Sequence, residues 1–287
     1  MKLLLYLLFL LPAFIACDPS NSFKDEKKTI YFPGTRQIKQ TVEYKNGMKN
    51  GYLTEYFKDG QLKARQFYVN DTLDDTTRVY HTNGKLKALR LYKNKKRHGC
   101  WQDYNSKGFL YSETCFRDDV LDSLSTRYNV RTHKIQERVR FRNGTKHGVE
   151  EHFYPSGKKK SRQEYYMGDV CIGTEEWYEN GKKIPNDFTI SIVENKSSLL
   201  ENKLTYVVRL QDPREDDMVY RVLNEGLGNR VGDRTRLRKE NSAFLVEFFL
   251  SPGGFVLESV KIAAYRKTAM GNTVIKTRSF NAASNNF

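Results

Sequence analysis

Aromatic and polar positions alternate through the middle of the chain, and the pattern returns about every 24 residues. Gly60, Gly84, Gly108, Gly157 and Gly181 stand 24, 24, 49 and 24 residues apart, with Thr132 filling the wide gap. Four residues before each comes an aromatic: Tyr56, Tyr80, Tyr104, Tyr128, Phe153 and Trp177. A second aromatic row runs Tyr44, Tyr68, Tyr92, Phe116, Phe141 and Tyr166. Seven residues after each of these a new unit opens, at Gly51, Asp75, Gly99, Ser123, Gly148 and Gly173. Two rows holding phase over six units mark a tandem repeat. A degenerate unit precedes them around Tyr31-Phe32-Pro33-Gly34.

One unit reads as a β-hairpin. Lys58-Asp59-Gly60 suits a three-residue loop whose last residue is left-handed, where glycine is least strained. Phe57 then faces Gln61, and Tyr56 faces Leu62. Strict alternation puts Tyr52, Thr54, Tyr56, Leu62, Ala64, Gln66 and Tyr68 on one face. The next unit gives Thr76, Arg78, Tyr80, Leu86, Ala88, Arg90 and Tyr92. Each unit thus buries a Tyr–Leu–aromatic strip, and units stack because one hairpin alone is marginal in water. About thirteen strands ~4.8 Å apart give a ribbon of roughly 60 Å. Its aromatic face must be covered, coil on itself or bind a partner.

After Asn186-Asp187 the period stops. Ordinary strand runs follow at Phe188–Val193, Thr205–Leu210, Met218–Leu223, Ala243–Leu250, Phe255–Tyr265 and Thr273–Phe280, separated by turn signals. The expectation is an all-β chain, an elongated antiparallel sheet of hairpin repeats over 30–185 followed by a small β-sandwich over 187–287, Ig-like by strand count only.

The repeat resembles the MORN repeat, in particular its bacterial variant. The likeness rests on Tyr44-Lys45-Asn46-Gly47, Gly51, Tyr56-Phe57-Lys58-Asp59-Gly60, Phe141-Arg142-Asn143-Gly144-Thr145-Lys146-His147-Gly148 and Glu176-Trp177-Tyr178-Glu179-Asn180-Gly181-Lys182. It departs at Asp75, Ser123 and Thr132. The resemblance implies a hairpin sheet used for binding and scaffolding. Some bacterial members carry a toxin–antitoxin label.

The chain opens differently. Met1-Lys2 is basic, Leu3 to Leu11 is almost wholly apolar, and Pro12-Ala13-Phe14-Ile15-Ala16-Cys17 follows. This reads as a secretory signal over 1–17, too short to span a bilayer. Ala16-Cys17 resembles the lipobox of bacterial lipoproteins, with Phe14 where leucine is usual. The resemblance implies that Cys17 is lipidated after cleavage, with residues 18–29 as a polar tether. The expected location is extracytoplasmic and lipid-anchored at the cell membrane, which is the outer membrane if the cell is Gram-negative.

The charge then takes a different meaning. With 49 Lys+Arg against 34 Asp+Glu among 287 residues, the net +15 suggests nucleic acid. An exported protein has no chromosome to meet, so no nucleic-acid partner is expected. Most of the excess lies in the repeats. Lys39, Lys63 and Lys87 share one slot and recur every ~10 Å, away from the Tyr strip. They are candidate contacts to an anionic polymer or lipid headgroups, or they keep an open sheet soluble.

Candidate chemistry is sparse. His98 and His147 share a repeat slot, and no paired His/Cys spacing implies a metal. The Gly226–Gly232 run lacks the strand–loop–helix setting of a phosphate loop and reads as a turn beside Arg234, Arg236 and Arg238. Glu150-Glu151 and Asp216-Asp217 are adjacent pairs whose members point apart. No cofactor and no catalytic residue is expected. Strict alternation places Cys100 and Cys115 on opposite faces, so both are expected as free thiols with Cys171, although a bond from Cys171 stays open. Asp71-Thr72-Leu73, Asp75-Thr76-Thr77 and Asp122-Ser123-Leu124 resemble the O-glycosylation acceptor of the Bacteroidetes, which marks Thr72, Thr76 and Ser123 at unit junctions expected to be exposed. The reading is a non-catalytic envelope lipoprotein acting as a binding or scaffold module, with another envelope protein as a further partner. Its rivals are an antitoxin-like or inhibitor protein and an envelope hydrolase active in the C-terminal part.

Overall fold

The computed structural model describes residues 25–195 and 202–285; Cys17 and the leader lie outside them. The repeats form one sheet of fifteen antiparallel strands. These are β1 (Glu26–Tyr31), β2 (Ile38–Lys45), β3 (Met48–Tyr56), β4 (Leu62–Val69), β5 (Thr72–Tyr80), β6 (Leu86–Lys93), β7 (Lys96–Arg97), β8 (Gly99–Tyr104), β9 (Leu110–Arg117), β10 (Val120–Tyr128), β11 (Ile135–Arg142), β12 (Thr145–Phe153), β13 (Lys159–Tyr166), β14 (Asp169–Val170) and β15 (Glu175–Glu176). Neighbours in sequence are neighbours in the sheet, as a chain of hairpins requires, with only β7 and β15 off the main path.

The tight turns follow the expected chemistry. Phe57 N donates to Gln61 O at 2.8 Å and Gly60 N to Phe57 O at 3.0 Å. Gly60, Gly84, Gly108, Gly157 and Gly181 all have positive φ. In the unit that lacks the glycine, the left-handed residue is His133 (φ 57°), not Thr132. That loop is one residue longer, because Asn129 N reaches Lys134 O, whereas Asn105 N reaches Phe109 O. Histidine tolerates the left-handed region better than the β-branched threonine.

Alternation, by contrast, breaks next to every turn. Tyr56 faces Leu62 as expected, but Glu55 faces Ala64, leaving Lys63 as an unpaired bulge residue. Lys39, Lys87, Tyr111, Gln136 and Lys160 are skipped in the same way. Each bulge slides the register by one, which carries the incoming strand's side chains to the other face. Ala64, Gln66 and Tyr68 therefore share a face with Leu53 and Glu55, while Tyr52 and Thr54 share the opposite face with Arg65 and Phe67. The strip made of Tyr52, Thr54 and Tyr56 with Ala64 and Tyr68 does not form.

The same slide corrects the cysteines. Cys100 lies directly across from Cys115, and the two form a disulfide. Their slot holds Tyr52 with Phe67 in one unit and Thr76 with Leu91 in the next. The disulfide is thus the covalent form of a cross-strand pair that other units make by contact; Tyr52 and Phe67 rings sit 5.1 Å apart. Cys171 is free and buried.

The unit-opening residues all take positive φ: Gly51 108°, Asp75 59°, Gly99 71°, Ser123 79°, Gly148 92° and Gly173 104°. The first five each face an aromatic, namely Tyr68, Tyr92, Phe116, Phe141 and Tyr165. A ring across the strand covers backbone that glycine leaves bare. The row thus ends at Tyr165 and not Tyr166, which lies on the other face under Arg230, 3.8 Å from its ring. The row and turn aromatics are half-buried, and the deeply buried positions of the array are aliphatic or polar: Leu53, Ala64, Ala88, Val139, Thr77, Ser161 and Gln163.

The C-terminal part has two four-stranded sheets. One runs β16 (Ile190–Asn195), β17 (Lys203–Leu210), β21 (Ala243–Phe249), β20 (Arg238–Glu240); the other runs β19 (Arg234–Arg236), β18 (Met218–Val222), β22 (Phe255–Lys267), β23 (Thr273–Asn285). They bury a common core that includes Phe188, Leu204, Val208, Phe244, Val246, Val260 and Ile262, which makes the expected sandwich. The short basic strands β19 and β20 sit where the sequence suggests only a turn.

The outer face of the second sheet meets the last repeat. Val170 and Ile172 pack on Ala263, Tyr265 and Ile275. Glu176, 1% exposed, accepts hydrogen bonds from Thr268 Oγ1 (2.6 Å), Asn272 Nδ2 (2.5 Å) and Asn186 Nδ2 (2.6 Å). Thr273 N donates to Gln163 Oε1 at 3.2 Å. The sandwich thereby closes one end of the sheet, where an open edge would otherwise invite pairing.

Candidate functional site

Two parts of the array gather polar side chains. The first lies on the Ala64 face near the sandwich. Register sets Glu137 across from His152 and Val139 across from Glu150. The ligand atoms of Glu137, Glu150 and His152 lie within 4.8 Å of one another. The sequence shows no metal-like spacing here because the three come from two strands. Lys146 Nζ sits 2.7 and 2.8 Å from the two Glu150 oxygens, and His152 Nε2 lies 3.4 Å from Oε1. Burial alone would raise the Glu150 carboxyl, but hydrogen bonds from His152, Lys146 and Tyr165 outweigh it and hold it down to about 2. Burial and the Glu150 charge push the Tyr165 hydroxyl up in turn. With the ammonium of Lys146, on the same strand, against both Glu150 oxygens and the Tyr165 hydroxyl reaching it from β13, this cluster is a satisfied buried ion pair and not an open coordination site. Glu151 points to the other face, as alternation requires, and pairs with Arg138 (2.5 Å) and Lys159 (2.7 Å).

The second gathering lies on the Tyr52 face, at the junction that opens with Ser123. Arg117, Asp122, Arg140, Arg142 and His147 line a concavity of about 470 Å³ there, together with Ser123. Arg117 and Arg142 occupy the same slot in successive units, facing Val120 and Thr145. Arg140 faces Leu124, in the slot that holds Phe67, Leu91 and Cys115 in earlier units. Its single acid, Asp122, is already paired with Arg117 at 3.0 Å. Met167 N donates to His147 Nδ1 at 3.4 Å, which leaves Nε2 to carry the ring proton.

The structure separates the remaining candidates. Tyr56, Tyr80, Tyr104, Phe153 and Trp177 are half-buried beside their turn glycines. Lys39, Lys63 and Lys87 are exposed bulge residues, and Lys63 pairs with Glu55 at 3.4 Å. The slot changes to Tyr111 and Gln136 in the two middle units and returns to lysine only at Lys160, so the lysine row is broken along the ribbon. Thr76 is buried and its Oγ1 donates to Asp75 Oδ1 at 2.8 Å, which removes it from the exposed acceptors. Thr72 is half-buried and Ser123 exposed.

The family model described as a MORN repeat variant matches residues 49–70, 76–94 and 146–165. The three stretches fall on the β3–β4, β5–β6 and β12–β13 hairpins. The chain therefore carries MORN-type repeats, which are generally associated with binding or scaffold roles. The disulfide and the three arginines of the concavity lie between the matched stretches, while His147 falls inside the last of them. No curated protein matches the chain.

Proposed function

We propose that this protein is a non-catalytic binding or scaffold module, held by a lipid on Cys17 at the outer face of a bacterial membrane. The observation that carries the reading is the array itself. Hairpins stand side by side in one open sheet, closed at one end by a sandwich. Such a sheet presents side chains in rows at a fixed ~10 Å spacing per unit, which suits an extended partner better than a small substrate. The basic start, apolar run and Ala16-Cys17 support the anchor. Two acyl chains would hold it stably, at ~0.8 kcal/mol per buried CH₂.

Cell fractionation with Cys17→Ser tests the anchor. The variant is expected in the soluble fraction, and full retention in the membrane pellet would overturn that part. The binding role is tested by passing envelope extract over the immobilised protein. A specific envelope protein or polymer should be retained, and retention of none would overturn the reading.

A further inference from the structure

We propose that the concavity between β9, β11 and β12 binds a tetrahedral oxyanion, a phosphate or sulfate group carried by the partner. This rests on the binding role above and gives it a place and a chemistry. Arginine suits such a group because its planar fork donates two parallel hydrogen bonds to one oxyanion.

The register explains how the cations meet. Arg117 and Arg142 share a slot one unit apart, hence ~10 Å. Arg140 stands two residues from Arg142 along β11, about 7 Å away on the same face. His147 comes in from β12 with its Nε2 proton free to donate. Three guanidinium groups thus surround one concavity whose acid, Asp122, is spent on Arg117.

Four other arginines of the array are tied down by ion pairs. Arg90 pairs with Asp103, Arg97 with Asp119, Arg127 with Glu137 and Arg138 with Glu151. The side chains of Arg140 and Arg142 have no ion pair or hydrogen bond among the described residues, while the main-chain oxygen of Arg142 accepts one from Thr145 Oγ1 at 3.0 Å. Arg140 also replaces an apolar or disulfide-bonded side chain of the preceding units. A position that normally makes a cross-strand contact has here been given an unpaired charge beside two others. Like charges gathered this way repel one another, and an anion between them reverses the sign of the interaction.

The test uses the full chain carrying Cys17→Ser, with pyrophosphate as the soluble probe in calorimetric titration. Arg140→Ala/Arg142→Ala should weaken binding at least tenfold at unchanged melting temperature, since both side chains are exposed. Arg140→Lys/Arg142→Lys, which keeps charge and loses the fork, should fall between. Lys39→Ala/Lys63→Ala/Lys87→Ala should stay within twofold of the parent. A second arm measures cosedimentation with phosphatidylcholine vesicles with and without phosphatidylglycerol. Arginine-dependent binding to the charged vesicles alone would identify the oxyanion as a lipid headgroup, and to pyrophosphate alone as a soluble phosphate. Binding to neither probe overturns the proposal, as does equal loss in the arginine and lysine variants, which would mean unspecific attraction to net charge. Retention of an envelope partner by the arginine variant would leave the binding role standing while this site fails.

Discussion

Single side chains in the array do more electrostatic than hydrophobic work. Glu150 is buried, and its carboxyl sits at about 2 against an ordinary 4.5. A depressed carboxyl contributes stability that is fully present above pH 4.5 and is lost as pH falls toward 2. The linkage is on the order of 3 kcal/mol. Glu150→Gln should therefore be less stable than wild type at pH 7 and show a shallower loss of melting temperature between pH 5 and pH 2. The slope should persist in part, because the buried Asp217, salt-bridged to Arg266 at 2.7 Å, is also held low. Parallel pH profiles for the two proteins would contradict the assignment.

Among elements, the unit is a hairpin whose turn carries two fixed irregularities, and each has a physical reason. The left-handed glycine closes the turn, and the bulge after it restores twist between strands that lack a covering layer. The bulge also brought Cys100 opposite Cys115. On the loop-entropy account, a link closing about 15 residues adds roughly 3 kcal/mol. Non-reducing peptide mapping should join the Cys100 and Cys115 peptides, while Cys171 reacts with alkylating reagent only after unfolding. Burial supports the latter, raising the Cys171 thiol above its usual range. Cys100→Ser/Cys115→Ser should melt at a lower temperature than the oxidised parent. A linked Cys171 would contradict the pairing.

At the scale of the molecule, both clusters of buried apolar residues among the described residues include sandwich strands, and the second reaches into the last repeat. The array thus leans on a partner that has a core. Glu176 is the polar centre of that joint, and Glu176→Ala would leave three donors without an acceptor in a buried place. Each such orphan costs about 1–3 kcal/mol. The variant should lose melting temperature and become sensitive to protease around residues 183–190, with Glu176→Gln recovering part of the loss. Wild-type stability in Glu176→Ala would show that the joint is held by apolar contact alone.

The period, the glycine-closed turns and the longer strands of the sandwich were legible in the sequence, because these depend on glycine, alternation and turn chemistry within a few residues; the Thr132 turn and the short strands β19 and β20 were not. The sequence marked Gly60 and Gly84 correctly, and it marked Gly51 and Gly148 as special without saying why. What it could not determine was register, since one unpaired residue per unit flips every side chain beyond it. That single shift separated Tyr52 from Ala64 and joined the cysteines. It also gathered Arg117, Arg140 and Arg142 from strands in two units onto one face. Only the tertiary structure decides such a gathering, because charges distant along the chain become neighbours only when strand pairing and bulges set which way each one points.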